Sequence, residues 1–332
     1  WDERTGGVYD HPDWNRRAME EIVATKNRER LKHLDTLAES IPATKLPVGR
    51  IEIDFAPEEA IETFELDMAQ AIGYAADRAG ARRVECFCAA DQSAIYLKLA
   101  APERARLRIV PPDYASQQTI ADQGFVRSPA VLGYAPPATG RCAHGEYYVQ
   151  PCGETGLHYG IFLTRTSAAV WKIEIRRAAS AAEMNAIVRQ FEHAAQDGVG
   201  WDEALTVHCR WWREFWNRSA LRLPDPALEQ YYHLCRYFYG SASRQGAPPM
   251  PLQAVWTADD GTLPPWRGDY HHDLNTQMSY IGYLTSGDFD CGASFFDHLT
   301  SQLEVYRGFA RRFYGVDGVA VPMDAELTAS IN

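Results

Sequence analysis

Between Leu252 and Tyr280 the chain crowds Trp256, Trp266, Tyr270, His271, His272, Asp273, Asn275, Gln277 and Tyr280 into one short segment. Indole and phenol rings offer flat faces to the apolar side of a sugar ring. Imidazoles, a carboxylate and amides offer donors and acceptors in opposed directions, as a ring of hydroxyls requires. A core segment avoids this mixture, because each buried polar group must find a partner. The chemistry suggested is carbohydrate recognition, with Trp256, Trp266, Tyr270, His271, His272 and Gln277 as substrate-binding candidates and Asp273 and Asn275 as catalytic ones. Plainer roles stay open. One histidine could cap a helix or face solvent while the other packs, and Asp273 could be a carboxylate favoured at a helix N-terminus. Metal binding is disfavoured, because adjacent histidines diverge and no further ligand spacing follows.

The elements that must position this segment follow from local patterning. Residues 13–38 read as one polar helix capped by Asp13, and Pro42 and Pro47 break the chain after it. From Leu46 to Ile175 the texture is β. RIEIDF at 50–55 alternates apolar and charged residues, and strands are expected at 61–66, 71–75, 83–88, 94–99, 147–151, 157–164 and 169–176. Residues 111–145 are rich in Pro, Gly and Ser and give no clear element. The chain turns helical at Ser180, where S-A-A-E forms a capping box before a helix to about Gln196. Helices follow at 201–217 and at 225–243, the second with Asp225 as N-cap and Pro226 at the first helical position. Two more are expected at 272–284 and 290–313, the last ended by Gly315 and Gly318. Trp211, Trp212 and Trp216 could pass for a sugar platform, but Trp212 and Trp216 are four apart on one helix face, which favours core packing.

Bulk properties exclude several classes. The 332 residues have room for more than one domain, and 46% hydrophobic with 23% charged residues is ordinary for a globular chain. The formal net charge is −11, and residues 241–332 hold five Arg, no Lys and eleven Asp plus Glu. No basic patch suggests nucleic acid, and an acidic surface suits a neutral partner better than an anionic membrane. No apolar run is long enough to span a bilayer. The seven cysteines show no CxxC pair, so they read as inert, mostly buried thiols, with a Cys142–Cys152 disulfide as the alternative. No P-loop, dinucleotide fingerprint, GxSxG element or EF-hand loop is present, and no cofactor is implied.

At PPWRGDYHHDLNTQMSY the chain resembles glycoside hydrolase family 95, best known for inverting α-L-fucosidases. Residues Pro264 to Ile281 lie without gaps on that family's pattern, roughly PPW-GSKY-TVNINTEMNYW. Upstream, Leu252, Gln253 and Trp256 match its LQGxW element, and FELDMAQAIGYAADRA at 64–79 is similar to its N-terminal domain pattern. Trp1-Asp2 resembles the end of the family's NEDTLW element. The resemblance implies an α+β multidomain fold. Residues 1–177 would be an N-terminal antiparallel β-sandwich lacking its start, 178–222 a helical linker, and 223–332 the first helices of an (α/α)6 barrel. It implies a terminal α-linked sugar of an oligosaccharide or glycan as substrate, in a secreted, periplasmic or cytoplasmic bacterial setting. A general-acid Glu and a polarising Asp are expected after Asn332, leaving this chain the water-activating side of the site.

The departures bear on mechanism. Asp273 stands where the family has its first Asn, Asn275 is the second, Gln277 replaces a Glu, and His271 and His272 replace Thr and Val. An inverting glycosidase needs a base for water opposite its acid, about 6.5–9.5 Å away. Asp273 could be that base directly, with Asn275 orienting the water. Other expectations are a glycosidase for another sugar such as an α-L-galactoside, an (α/α)6 sugar phosphorylase, or a non-catalytic carbohydrate-binding protein.

Overall fold

The computed structural model describes residues 11–40, 45–56, 60–114, 129–153, 156–193, 199–251, 262–264 and 268–325. The fold is α+β, with an antiparallel β half followed by packed helices.

In the β half, β2 (Ile61–Asp67), β3 (Ile72–Asp77), β4 (Arg82–Cys88), β5 (Ala94–Leu99), β7 (Ala138–Cys142), β8 (Gly145–Cys152), β9 (Leu157–Arg165) and β10 (Val170–Ala178) form one eight-stranded sheet. Their order is β2-β3-β4-β5-β10-β9-β8-β7. A second antiparallel ribbon pairs β1 (Arg50–Phe55) with β6 (Ala105–Val110). Ile51, Ile53, Leu107 and Ile109 of the ribbon pack on Tyr159, Ile161, Leu163 and Ile173 of the sheet. The opposite face carries Phe162, covered by Met184, Ile187 and Phe191 of α3 (Ala181–His193). The central strand β9 is therefore apolar on both faces, which explains its nearly continuous burial.

Most strand expectations hold within a residue or two. Strands β6 and β7 flank or fall inside the stretch that gave no clear element. The expected helix over 13–38 is two, α1 (Arg16–Thr25) and α2 (Arg28–Ser40), because Lys26 adopts φ 53° and ends the first. The cap is Asn15, whose Oδ1 accepts from Ala18 N at 2.9 Å, while Asp13 pairs with Arg30 at 2.6 Å. The capping box of α3 forms with a shift: Ser180 Oγ accepts from Glu183 N, and Glu183 Oε2 reaches back to Ala179 N. None of the seven cysteines is in a disulfide, and against the expectation of mostly buried thiols two, Cys152 and Cys291, are buried.

Helix α4 (Trp201–Trp216) joins the two halves. Its first turns place Trp201 and Ala204 against Phe87, Tyr96 and Val170 of the sheet. Its last turns place Trp212 and Phe215 in a helical core with Tyr239, Tyr280, Tyr283 and Phe295. Trp212 is 1% exposed, so the tryptophans serve packing as their spacing predicted. Helix α5 (Pro226–Ala242) is capped by Asp225 Oδ1, which accepts from Ala227 N at 2.9 Å. Gly240 lets α5 approach this core, since a Cβ there would lie 2.9 Å from the Trp212 ring. The expected helix 272–284 is shorter and broken, into α6 (Asn275–Tyr280) and α7 (Gly282–Ser286). The expected helix 290–313 is α8 (Phe289–Ser301), α9 (Leu303–Phe309) and a π-type turn (Ala310–Tyr314), ended by Gly315 in the left-handed region.

Candidate functional site

Three contacts fix the segment that holds the candidate residues. First, Arg236 on α5 grips Asp288, at the start of α8, with Nε and Nη2 at 2.8 and 2.9 Å; both side chains are fully buried. Second, Tyr280 closes a hydroxyl network under α6. Its oxygen accepts from Met250 N at 2.7 Å and lies 2.8 Å from Ser243 Oγ, which is 2.6 Å from Ser294 Oγ. Third, β11 (Tyr270–His271) pairs with β12 (Asp324–Ala325), and His272 N donates to Met323 O at 2.7 Å. A chain reversal of some fifty residues thus clasps the start of α6 between distant parts of the sequence.

The predicted residues divide into two groups. Asp273, Asn275 and Gln277 are exposed around the first turn of α6. The Gln277 amide donates to His272 O at 2.7 Å, so one of its groups steadies the turn. His271 is half-buried, with Nε2 2.9 Å from Asp269 Oδ1 in an orientation suited to charge pairing rather than a linear hydrogen bond. Tyr270 and His272 lie in the interior, 1% and 6% exposed, and stack at 5.8 Å. The Tyr270 hydroxyl donates to Pro249 O at 3.1 Å, and burial raises its pKa. These two rings therefore support the turn from beneath, whereas a sugar-facing role was expected of them. Trp256 and Trp266 lie outside the described residues. A groove of about 410 Å³ runs between β2 and α5, lined by Leu66, Met68, Ala227, Gln230, Tyr231 and Leu234. None of the predicted site residues lines it.

Sequence reasoning missed three neighbours. His298 on α8 approaches Tyr270 at 5.0 Å and His272 at 6.1 Å between ring centroids. Tyr306 on α9 is 1% exposed with its hydroxyl unpartnered. Both come from helices whose periodicity announces only burial. Lys45 packs its stem on Gly268, where a Cβ would fall 2.5 Å from Lys45 Cδ, and Gly268 has φ +65°. Burial lowers the Lys45 ammonium to about 8. A lysine between two prolines gave no signal of this contact. Among the described residues no group of three or more His, Cys, Asp or Glu could hold a metal ion.

The exposed trio can do polar chemistry at a surface. Asp273 is an acceptor when ionised, and Asn275 and Gln277 each offer both donor and acceptor groups. Beside them Leu274, Met278 and Ile281 are exposed at 57, 56 and 57%, so the same face is partly apolar.

Comparison with known proteins reaches this part of the chain. Residues 212–331 match the model of the glycosyl hydrolase family 95 catalytic domain. Alpha-L-fucosidase 2 of Arabidopsis thaliana is 34% identical over 102 residues, covering 30% of this chain and 12% of that protein. Probable alpha-fucosidase A of Aspergillus niger is 40% identical over 57 residues, 17% of this chain and 7% of that protein. The alignments thus span a small fraction of either relative's length. A solved structure, "Putative kojibiose phosphorylase from human microbiome", aligns at TM-score 0.46 and 9% identity over 86% of this chain and 48% of its own. Over residues 212–331, the part that carries Asp273 and Asn275, this chain is similar to the catalytic domain of glycosyl hydrolase family 95.

Proposed function

We propose that this chain is part of a glycoside hydrolase that resembles the inverting α-L-fucosidases and hydrolyses a terminal α-linked sugar of an oligosaccharide or glycan. The observation that carries the reading is the family match over 212–331, which includes the exposed first turn of α6. In this reading residues 1–177 are an N-terminal β-sandwich domain, 178–222 a helical linker and 223–332 the first part of an (α/α)6 barrel. The reading requires a proton donor on the face of the sugar opposite Asp273.

The proposed division of labour follows from exposure. Asp273 takes a proton from the attacking water, a step an amide in the same place could not perform without a neighbouring carboxylate. Asn275 orients that water or a sugar hydroxyl. Tyr270 and His272, buried beneath, keep the turn in place, and His271 with Asp269 forms its flank. Inversion requires the water to attack from the face opposite the leaving oxygen, with no covalent sugar–protein intermediate.

The test follows the sugar released by the full-length protein from an α-L-fucoside, by proton NMR during the first minutes. The β-anomer is expected to appear first and to mutarotate later. First appearance of the α-anomer would refute the inverting mechanism, and absence of any release from α-L-fucosides and α-L-galactosides would refute the substrate class.

A further inference from the structure

A neutral imidazole carries one N–H donor and one bare nitrogen, and burying either without a partner is unfavourable. His272 is 6% exposed with both ring nitrogens unpartnered, and His298 is 7% exposed with Nε2 unpartnered. Their centroids are 6.1 Å apart. Aromatic carbon closes them in: Tyr270 lies 5.8 and 5.0 Å from the two rings, and Phe295 lies 6.0 Å from His272.

Among the described residues no counter-charge faces the pair. On the same segment, Asp269 is engaged by His271, and Asp273 is exposed. Tyr280 of α6 contributes a phenol committed to Ser243 and Ser294, and Tyr306 of α9 a phenol that burial keeps protonated. Thr276 on α6 adds a buried, unpartnered hydroxyl. Among the described residues neither His272 nor His298 has a carboxylate within ion-pairing distance.

We propose that His272 and His298 form an acid-released latch, which holds the turn at 270–277 against α8 while both rings are uncharged and frees it when either takes a proton. A charged imidazole here would sit in an apolar enclosure beside a second imidazole, so the favourable response is to leave it. The turn can leave because, apart from the Tyr270–Pro249 bond, its outer fastening is slight: the two-residue β11–β12 pairing and the His272–Met323 backbone bond, whereas Tyr280 and Tyr283 beyond it stay anchored in the helical core. The electrostatic setting points the same way. Burial first, then the nearby His298 and His271 charges, lowers His272 to about 4; burial lowers His298 to about 4. Release therefore takes up protons, and it becomes easier as pH falls from 6.5 towards 4. Asp273 and Asn275, carried by the freed segment, would move with it.

Hydrogen exchange of the full chain at pH 7.5 and 5.0, corrected for intrinsic exchange rates, tests the latch. Peptides from 270–277 are expected to lose protection at pH 5.0 by at least about tenfold relative to those from β9 and β10. The double variant H272F/H298F, with no titrating ring, is expected to keep its protection at pH 5.0. Equal protection of the wild-type segment at both pH values would overturn the proposal, as would equal acid loss in the double variant. Should that variant fail to fold, the ring C2 protons of the wild type decide. Titration of both rings well below 6.5, coincident with loss of the segment's protection, supports the latch; titration near 6.5 with the segment still protected overturns it.

Discussion

The two halves of the molecule bury the same kinds of side chain and treat them differently. In the β half, buried phenols reach backbone carbonyls. Tyr159 donates to Pro47 O at 2.9 Å and lies 2.7 Å from Tyr114, and Tyr148 donates to Val48 O. Histidines there each satisfy one nitrogen: His144 Nε2 meets Phe191 O at 2.7 Å, and His208 Nε2 meets Gln70 O at 2.8 Å while its Nδ1 stays unpartnered. In the helical half, His272, His298, Thr276, Ser286 and Tyr306 bury polar atoms that no described residue satisfies. That half also exposes Leu274, Met278, Ile281, Leu284, Phe289 and Phe296. The β half has its own lapses, Gln150 Oε1 inside and Phe64 outside, but the helical half gathers more unpartnered polar atoms and exposed apolar side chains, the condition of a region that does chemistry or changes state.

Substitutions can break or sharpen this contrast. The largest effect is expected at the joint of the helical half. Asp288→Ala leaves the Arg236 guanidinium buried without its carboxylate, and should lower stability by about 3–5 kcal/mol in urea denaturation. The counterpart in the sheet, Asp77→Ala, removes a carboxylate that pairs with the partly exposed Arg83 and accepts from the Ala79 and Ala81 amides, and should cost less. Acid comes next. Because His272 and His298 are held neutral, the helical half keeps full stability above pH 6.5 and loses roughly 2–3 kcal/mol per ring as the pH falls towards about 4. The β half should show a smaller slope, because among the described histidines there burial lowers only His208, and the Arg83 hydrogen bond lowers Asp77; near-ultraviolet signals from the two halves measured against pH would separate them. The smallest effect is the sharpest discriminator. Tyr159→Phe removes a satisfied hydroxyl and should cost about 1 kcal/mol, whereas Tyr306→Phe removes an unsatisfied one and should be neutral or stabilising. Equal costs would erase the distinction.

The same contrast governs how much the sequence discloses. Where a residue's partner is local or its pattern repeats, the fold is legible. The alternation in RIEIDF marks β1 to the residue, and Asp225-Pro226 announces α5 by the rules of helix starts. Trp212 and Trp216 are legible as core from their spacing alone. Legibility fails where partners are distant. Nothing near Tyr270 predicts pairing with Ala325, and nothing near His272 predicts His298 above it. The Lys26 break inside a uniformly polar helix is equally silent. In the candidate site, residue types point to Asp273, Asn275 and their aromatic company. They do not say which side chains face solvent, because two-residue spacing in an irregular turn fixes no direction. Hence Tyr270 and His272 look like sugar contacts in the sequence and are interior supports in the fold.

The reading as a glycosidase depends most on Asp273, and turnover of the full-length protein carrying Asp273→Asn tests it most directly. If Asp273 is the base, kcat on an α-linked substrate should fall by about 10²–10⁴-fold with KM little changed. Full kcat in the Asn variant would contradict the account.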